Sequence, residues 1–518
     1  MYLSPDIQNE LIGLCGKQIS DGIVSKCNEA KCFGFIADEA TDASTMEQMA
    51  MCLRYFDGTG LREEFLGFAE CESTTGESLA NAFLANLERA GVHINHMRGQ
   101  GYDGAANMSG IHRGVQARIR QRIPGAVYTH CKAHSLILSI IHASKEMYAR
   151  NMMGTVQQIA FAFNYSAKRV LRFQENLEKD AAAREEMDRR TKLQSLCETR
   201  WAARAEALHT FLCSYRVVVG SLDELASDYG DTKAAGYSRS IQNFEFVITL
   251  VAVEHALSGL VNISKILQKK DCDLLEAAEE ARVVITMLEN ERNDDMLWDH
   301  LYDKAVSLAD DIGVEATVPR CHGRQANRPN ASAQTPSQFW RVNMYLPFVD
   351  HLIVELTNRL LNPHGRFTAQ YLLPTKAAGL TPARAGEIYA VYQPDLPGCD
   401  QETFVRECNR WTAKWTTTSP APYPCLESSL GVATEASYPN IRICMMILLC
   451  MPVSTATAER SFSTMKRVKT YLRITMTTER LSGFGLLNIY QERNNNVEQV
   501  VDAFARQKDR RLALIFKV

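Results

Sequence analysis

The first 150 residues alternate short apolar runs with amphipathic ones. "CFGFIADEATD" (32–42) opens on an apolar run of strand length and turns polar where Asp38 appears. "EQMAMCLRYFD" (47–57) and "LREEFLGFAEC" (61–71) read as two further strands joined by the turn sequence "DGTG". Three consecutive antiparallel strands are the simplest arrangement. In "TTGESLANAFLANLERAG" (74–91), Leu79, Phe83, Leu84 and Leu87 recur at helical spacing before Gly91, a residue that commonly ends a helix. "VHINHMRGQGYD" then predicts a fourth strand, "GVQARIRQRI" a short helix, "AVYTHC" a fifth strand and "AHSLILSIIHASKEMYA" another helix. Three strands before an alternation of helix and strand predict a mixed sheet with helices on its faces, because strand–helix–strand crossovers make parallel neighbours.

From about 151 to 440 the period shifts to near 3.6, as in "IQNFEFVITLVAVEHALSGLVNISKILQKK", and a mainly helical segment is expected there. "VPRCHGRQANRPNASAQTPSQ" (318–338) interrupts it with loop residues and unpaired positive charge. Beyond 441, "CMMILLCMPV" is too short to cross a bilayer and reads as a buried strand or helix. After Pro452 a helix is predicted, capped by Ser454, with Phe462, Met465 and Leu472 towards the core. Lys466, Arg467, Lys469 and Arg473 give it a local positive surface. In "ERLSGFGLLNIY", Leu481, Phe484, Leu487 and Tyr490 form an apolar stripe suited either to the core or to a subunit interface.

Composition narrows the functional classes. Lys and Arg number 57 against 60 Asp and Glu, so the chain lacks the overall cationic excess of a nucleic-acid binder and any DNA contact must use local patches. The fifteen cysteines are irregularly spaced, with no C-x-x-C and no zinc-finger pairing with histidine, which suits a reducing compartment. The amino terminus has no basic region leading into an apolar one, so no signal peptide is expected.

Candidate chemistry centres on "GQGYDGAANMSG" (99–110), where four glycines surround Asp103 and suggest a tight bend, with Asn107 bonded to its backbone. Asp38 comes after the first predicted strand and Asp103 after the fourth. If those strands are neighbours, two carboxylates meet at one edge of the sheet, as hard oxygen ligands for Mg²⁺ or Mn²⁺. Aspartate is equally common as a cap and turn residue, and the spacing alone leaves both readings open.

"FGFIADEATD", "EEFLGFAECESTTGESLA", "GQGYDGAANMSG", "YTHCKAHSLIL", "ETRWAAR" and "TATAERSFSTMKRVKTYLRITMTTERLSGFGLLNIY" occur in that order. Together they resemble the hAT superfamily of transposases, and more closely its domesticated relatives, including zinc-finger MYM-type and kinase-inhibitor-repressor proteins. The likeness runs from about residue 1 to 495. It implies an α/β, ribonuclease H-like mixed sheet with helices on both faces, interrupted by a large all-α insertion. The implied division is 1–150 and 441–518 for the core, the latter carrying the dimerisation region, and 151–440 for the insertion. The resemblance also implies a catalytic carboxylate site for Mg²⁺ or Mn²⁺, falling on Asp38, Asp103 and Glu459. By the same transfer, His134 and Trp201 match positions that hold DNA near the cut, and Arg200 beside Trp201 would meet a phosphate. The charges of Lys466, Arg467 and Lys469 suit either a solvated helix face or phosphate contact. Leu481, Phe484, Leu487 and Tyr490 fall in the dimerisation region.

Two departures stand out: Ala40 occupies a position where many active relatives have tryptophan, and the amino-terminal zinc-binding domain of active relatives is not expected in this sequence. Two classes of function remain. One is a nuclear, homo-oligomeric, metal-dependent transposase or nuclease acting on DNA phosphodiesters. The other is a non-catalytic nucleic-acid or protein-binding regulator that keeps the transposase fold and its dimerising carboxy terminus. No membrane association is expected.

Overall fold

The computed structural model describes residues 4–71, 73–196, 201–319, 335–361, 365–417, 423, 425–493 and 496–508, without the side chains of 201–203. Two compact units divide the chain. The first comprises Met1–His134, Leu267–Ala277 and Pro363–Val518, and the second Ser135–Ile266 and Ala278–Asn362.

The first unit is built on a five-stranded mixed sheet of order β3-β2-β1-β4-β5. Its strands are β1 (Phe33–Thr41), β2 (Glu47–Phe56), β3 (Leu61–Glu70), β4 (Met97–Tyr102) and β5 (Val127–His130). β1, β2 and β3 pair antiparallel, whereas β4 runs parallel to both β1 and β5, as the order of elements predicts. The β2–β3 turn is held by Asp57, whose Oδ1 accepts the Thr59 and Gly60 amides at 2.9 Å each. Helix α1 (Pro5–Glu29) begins on a Ser4 cap with proline at its first turn. Helix α2 (Gly76–Arg89) buries Leu79, Phe83, Leu84 and Leu87, the stripe read from the sequence.

The core of this unit draws on both ends of the chain. Phe33, Phe35, Phe65, Phe83, Leu87 and Tyr102 pack in one cluster with Ala458, Phe462, Met465, Leu481 and Leu486. Fully burying one such side chain contributes about 1.5–3 kcal/mol, so the carboxy-terminal helices are integral to this fold. Gly16 of α1 and Gly483 of the helix Thr478–Ile489 allow a close crossing, since a Cβ on Gly16 would lie 2.9 Å from the Gly483 Cα.

In the second unit every described regular element is helical. Its central helix, Phe244–Ser258, is apolar on nearly all sides and buried. The stretch Phe244–Leu267 is long and apolar enough to cross a membrane, yet 67% of its apolar window is buried inside the protein, which marks a core helix.

Several expectations need correction. The compact helical unit ends near residue 362 rather than 440, and begins near 135 rather than 151. The cause is Arg366, buried and donating to the carbonyls of Arg98 and Gly125 at 2.9 Å each, which ties the segment after 363 to the sheet. "CMMILLCMPV", expected as a buried strand or helix, is indeed buried, as the end of the helix Pro439–Cys450 and the connection after it. The next helix, Ala456–Val468, is preceded by Thr455 rather than Ser454, and no side chain caps it. That helix stops before Leu472, which is 78% exposed instead of facing the core.

Candidate functional site

β1 does not stop at Asp38. Pairing with β2 carries it through Asp38 opposite Ala50 to Thr41 opposite Glu47. On its other side β1 pairs with β4 only as far as Ile36 opposite Gly101. Asp38 and Asp103 each lie two residues beyond that last matched pair. Side chains on neighbouring parallel strands repeat every two residues, so the register brings both acids to one place at the end of the sheet.

The glycines around Asp103 serve this register more than a bend. Gly99 and Gly101 are strand residues of β4, and Pro452 packs on them: a Cβ on Gly99 would sit 2.7 Å from the Pro452 Cδ, and one on Gly101 2.4 Å from its Cβ. Gly104 is the turn residue, and a Cβ there would meet the His130 ring at 2.8 Å. The Asp103 Oδ1 accepts the Ala105 amide at 3.2 Å, and the Tyr128 hydroxyl donates to the Asp103 carbonyl at 2.9 Å. Asn107 does bond to backbone, but to the Thr74 carbonyl across the loop, at 3.1 Å.

Glu459 arrives from the other end of the chain. The connection after Pro452 is pinned to Cys131 and Lys132, the two residues directly after β5: the Lys132 amide donates to the Val453 carbonyl at 2.7 Å, and the Thr455 amide to the Cys131 Sγ at 3.3 Å. The Thr455 hydroxyl lies 3.1 Å from Glu459 Oε1 and 3.5 Å from Cys131 Sγ. Cys131 is buried and also accepts the His134 amide, so it is a structural bracket.

Asp38 senses the other two acids. Burial, and then the negative charges of Glu459 and Asp103, push the Asp38 carboxyl well above the usual carboxylate range. Among the described residues no lysine, arginine or histidine forms an ion pair with Asp38, Asp103 or Glu459. Such oxygen donors suit a hard divalent cation. They are not preassembled: no group of three His, Cys, Asp or Glu among the described residues is already disposed to hold a metal ion.

An aromatic row leads to this centre. Tyr102, Tyr128, His130 and His134 succeed one another with ring centroids 6.0, 6.4 and 6.1 Å apart. His134, predicted from the sequence, therefore lies beside the Asp103 turn. Tyr128 and His130 were not singled out, although their alternate positions on a strand put them on one face. Lys132 is a further residue not foreseen, and burial lowers its ammonium to about 8.

The positive surface is smaller than expected. Lys466 and Arg467 are both exposed, and Arg467 donates to Asn488 Oδ1 at 3.0 Å. Lys469 is instead buried, 2.6 Å from Asp42 Oδ2, and cannot reach a phosphate from there. Arg200 and the Trp201 side chain lie outside the described residues. The apolar stripe is core: Leu481 is fully buried, Leu487 and Tyr490 pack on the same cluster, and the Tyr490 hydroxyl donates to the Phe65 carbonyl at 3.1 Å. Phe484 is half-buried under the Arg480 guanidinium. The exposed apolar residues of this region are Tyr471, Leu472 and Ile474.

Residues 431–492 match the hAT family C-terminal dimerisation region. The similarity is to that region of the hAT family. At its other end, residues 1–114 match the ZMYM1/FAM200 RNase-like domain, in agreement with the mixed sheet. The chain is also 25% identical over 529 residues to the human protein named 52 kDa repressor of the inhibitor of the protein kinase, covering 98% of this chain and 68% of that protein. The mouse protein of the same name is 24% identical over 530 residues, with the same shares covered.

Proposed function

We propose that this chain is a nuclear, transposase-derived protein in which Asp38, Asp103 and Glu459 hold Mg²⁺ or Mn²⁺ and act on DNA phosphodiesters by hydrolysis and strand transfer. The observation that carries the reading is the register: Asp38 and Asp103 sit two residues past one matched pair, and the charge of Glu459 reaches the Asp38 carboxyl. A divalent ion bound there would supply Lewis acidity and a lowered pKa for an attacking water or 3′ hydroxyl. The protein's own part is to position and to hold protons. Tyr128 fixes the Asp103 turn, Thr455 orients Glu459, and His130 and His134 offer imidazole faces beside the acids for an unstacked base. Lys466 gives a cationic group at the end of the sheet where β1 finishes, and Arg467 follows it in the last turn of the same helix. The matched dimerisation region supports a homo-oligomer, and the exposed Tyr471, Leu472 and Ile474 are its best-placed apolar contacts.

The test is cleavage and joining of pre-nicked DNA by the purified protein with Mn²⁺, compared with Asp103→Ala. Activity lost in the variant supports the reading, and equal activity, or none in either, overturns it. A second reading is a non-catalytic regulator. It is favoured by the absence of a preassembled ligand group among the described residues and by the repressor name of the relatives. Sequence-selective DNA or protein binding unchanged in Asp103→Ala, with no Mn²⁺-dependent cleavage, would decide for it.

A further inference from the structure

The helical unit carries a second cluster of reactive side chains, in which a thiol, an imidazole and a carboxylate stand in series. His209 and Cys213 lie one turn apart on the helix Trp201–Cys213, with Cys213 Sγ 3.5 Å from His209 Nε2. The other ring nitrogen, Nδ1, is 3.0 Å from Oε1 of Glu254 on the buried helix Phe244–Ser258. A nucleophile within reach of a base that is itself oriented by a third group is the arrangement that activates a thiol.

We infer that Cys213 is an activated thiol and a site of covalent modification by small disulfides. Glu254, with a side chain only 11% exposed, accepts the Nδ1 proton and fixes the tautomer, which leaves Nε2 to take the proton from Sγ. The product is a thiolate beside an imidazolium. The bonds from Cys213 and Glu254 push the His209 imidazole up to about 10, so the ring keeps that proton at neutral pH. In the reaction the Cys213 thiolate attacks one sulfur of the disulfide. An S–S bond forms to Cys213 as the original S–S bond breaks, and the departing thiolate leaves with the electron pair and takes a proton from water. Cys213 is thereby oxidised to a mixed disulfide and one half of the reagent is reduced to a thiol.

Access separates this residue from the other described cysteines. Cys27, Cys32, Cys52, Cys71, Cys131, Cys272, Cys408, Cys444 and Cys450 are buried, Cys15, Cys213 and Cys399 are half-buried, and Cys425 is exposed. Exposure alone would make Cys425 the fastest to react. Its Sγ has the Ser428 hydroxyl at 3.1 Å and no imidazole among its bonding partners. Activation by His209 reverses that order.

The experiment treats the whole folded chain with glutathione disulfide, and in parallel with iodoacetamide, at pH 7, and tracks each cysteine-containing peptide by mass spectrometry. Cys213 should be modified about tenfold faster than Cys425, as expected for a thiol within reach of an oriented imidazole base. His209→Gln should bring Cys213 down to the Cys425 rate, and Glu254→Gln should lower it by a smaller factor, with far-UV circular dichroism unchanged. The wild-type ratio of the Cys213 rate to the Cys425 rate is a readout that needs no variant. Faster reaction of Cys425, or a Cys213 rate indifferent to His209→Gln, would overturn the proposal.

Discussion

Lys469→Met probes the contact that joins the end of β1 to the carboxy-terminal region. The Lys469 ammonium and the Asp42 carboxylate are 2.6 Å apart, with side chains 4% and 0% exposed. Asp42 also accepts from the Ser44 amide at 2.7 Å, the Ser44 hydroxyl at 2.6 Å, the Met46 amide at 3.2 Å and Gln48 Nε2 at 3.1 Å. Burial pushes this carboxyl up, but the bonds from Lys469, Ser44 and Met46 outweigh it and hold it at about 2. The drop from the ordinary 3.8 corresponds to about 2.5 kcal/mol of stabilisation at neutral pH. Removing one partner of a buried pair costs about 3–5 kcal/mol. The four donors left to Asp42 place Lys469→Met just below that range, at about 2–3 kcal/mol. The lowered value fixes the sign of the pH dependence. The stabilisation is complete above the unfolded pKa and is lost as pH falls towards 2, with about 1 kcal/mol gone by pH 3. Urea unfolding should be tracked by hydrogen exchange of residues 33–56, which reports on this unit, at pH 7 and pH 3. The variant should be weaker at pH 7 and should lose less than the wild type on acidification. A cost below about 1 kcal/mol at pH 7, or an unchanged acid dependence, would refute the reasoning.

The Asp38 carboxyl is raised, so its charge destabilises the fold above the unfolded pKa. Asp38→Asn should therefore increase the thermal midpoint at pH 7 without added metal, and should abolish any increase that Mn²⁺ produces in the wild type. Gly101→Ala places a Cβ 2.4 Å from the Pro452 Cβ and should cost about 1–3 kcal/mol by overpacking, measured by the same urea assay. Leu481→Ala should cost about 2–5 kcal/mol as a core truncation and leave the oligomeric state unchanged, whereas Leu472→Glu should leave stability unchanged and dissociate the oligomer in sedimentation velocity.

The sheet was legible because its strands are short apolar runs between strong turn signals, and the alternation of helix and strand after α2 leaves little choice of topology. The pairing of Asp38 with Asp103 came from that topology. The partners of Lys469 and Arg366 were not legible, because a cation that closes a buried ion pair and one that faces solvent are written with the same letter. The groups that distinguish them are Asp42 and the Arg98 and Gly125 carbonyls, each hundreds of residues away in sequence. The same limit applies to Leu481, Leu487 and Tyr490, since an apolar stripe has one period whether it meets another copy or its own core. Gly99 and Gly101 read as a bend because glycine signals turns more often than it signals a proline lying across a strand.

That proline gives the acid centre its construction. Pro452 rests on Gly99 and Gly101, the residues that set the register carrying Asp103 to Asp38, and the bonds from Lys132 and Thr455 hold the same connection to the end of β5. Seven residues after Pro452 the chain presents Glu459. Cys131 and His134 thus act on the centre in different ways. The Cys131 thiol fixes Thr455 and through it the approach of Glu459, while the His134 ring extends the aromatic row beside Gly104. Two ligands would be a poor metal site, but a bracket and a platform need only one residue each. Cys131→Ser, which keeps a small acceptor at the bracket, should accordingly disturb the centre less than Cys131→Val, which removes it. His134→Ala should leave the electrostatic coupling of the three acids intact, read as an unchanged Asp38→Asn effect on the thermal midpoint.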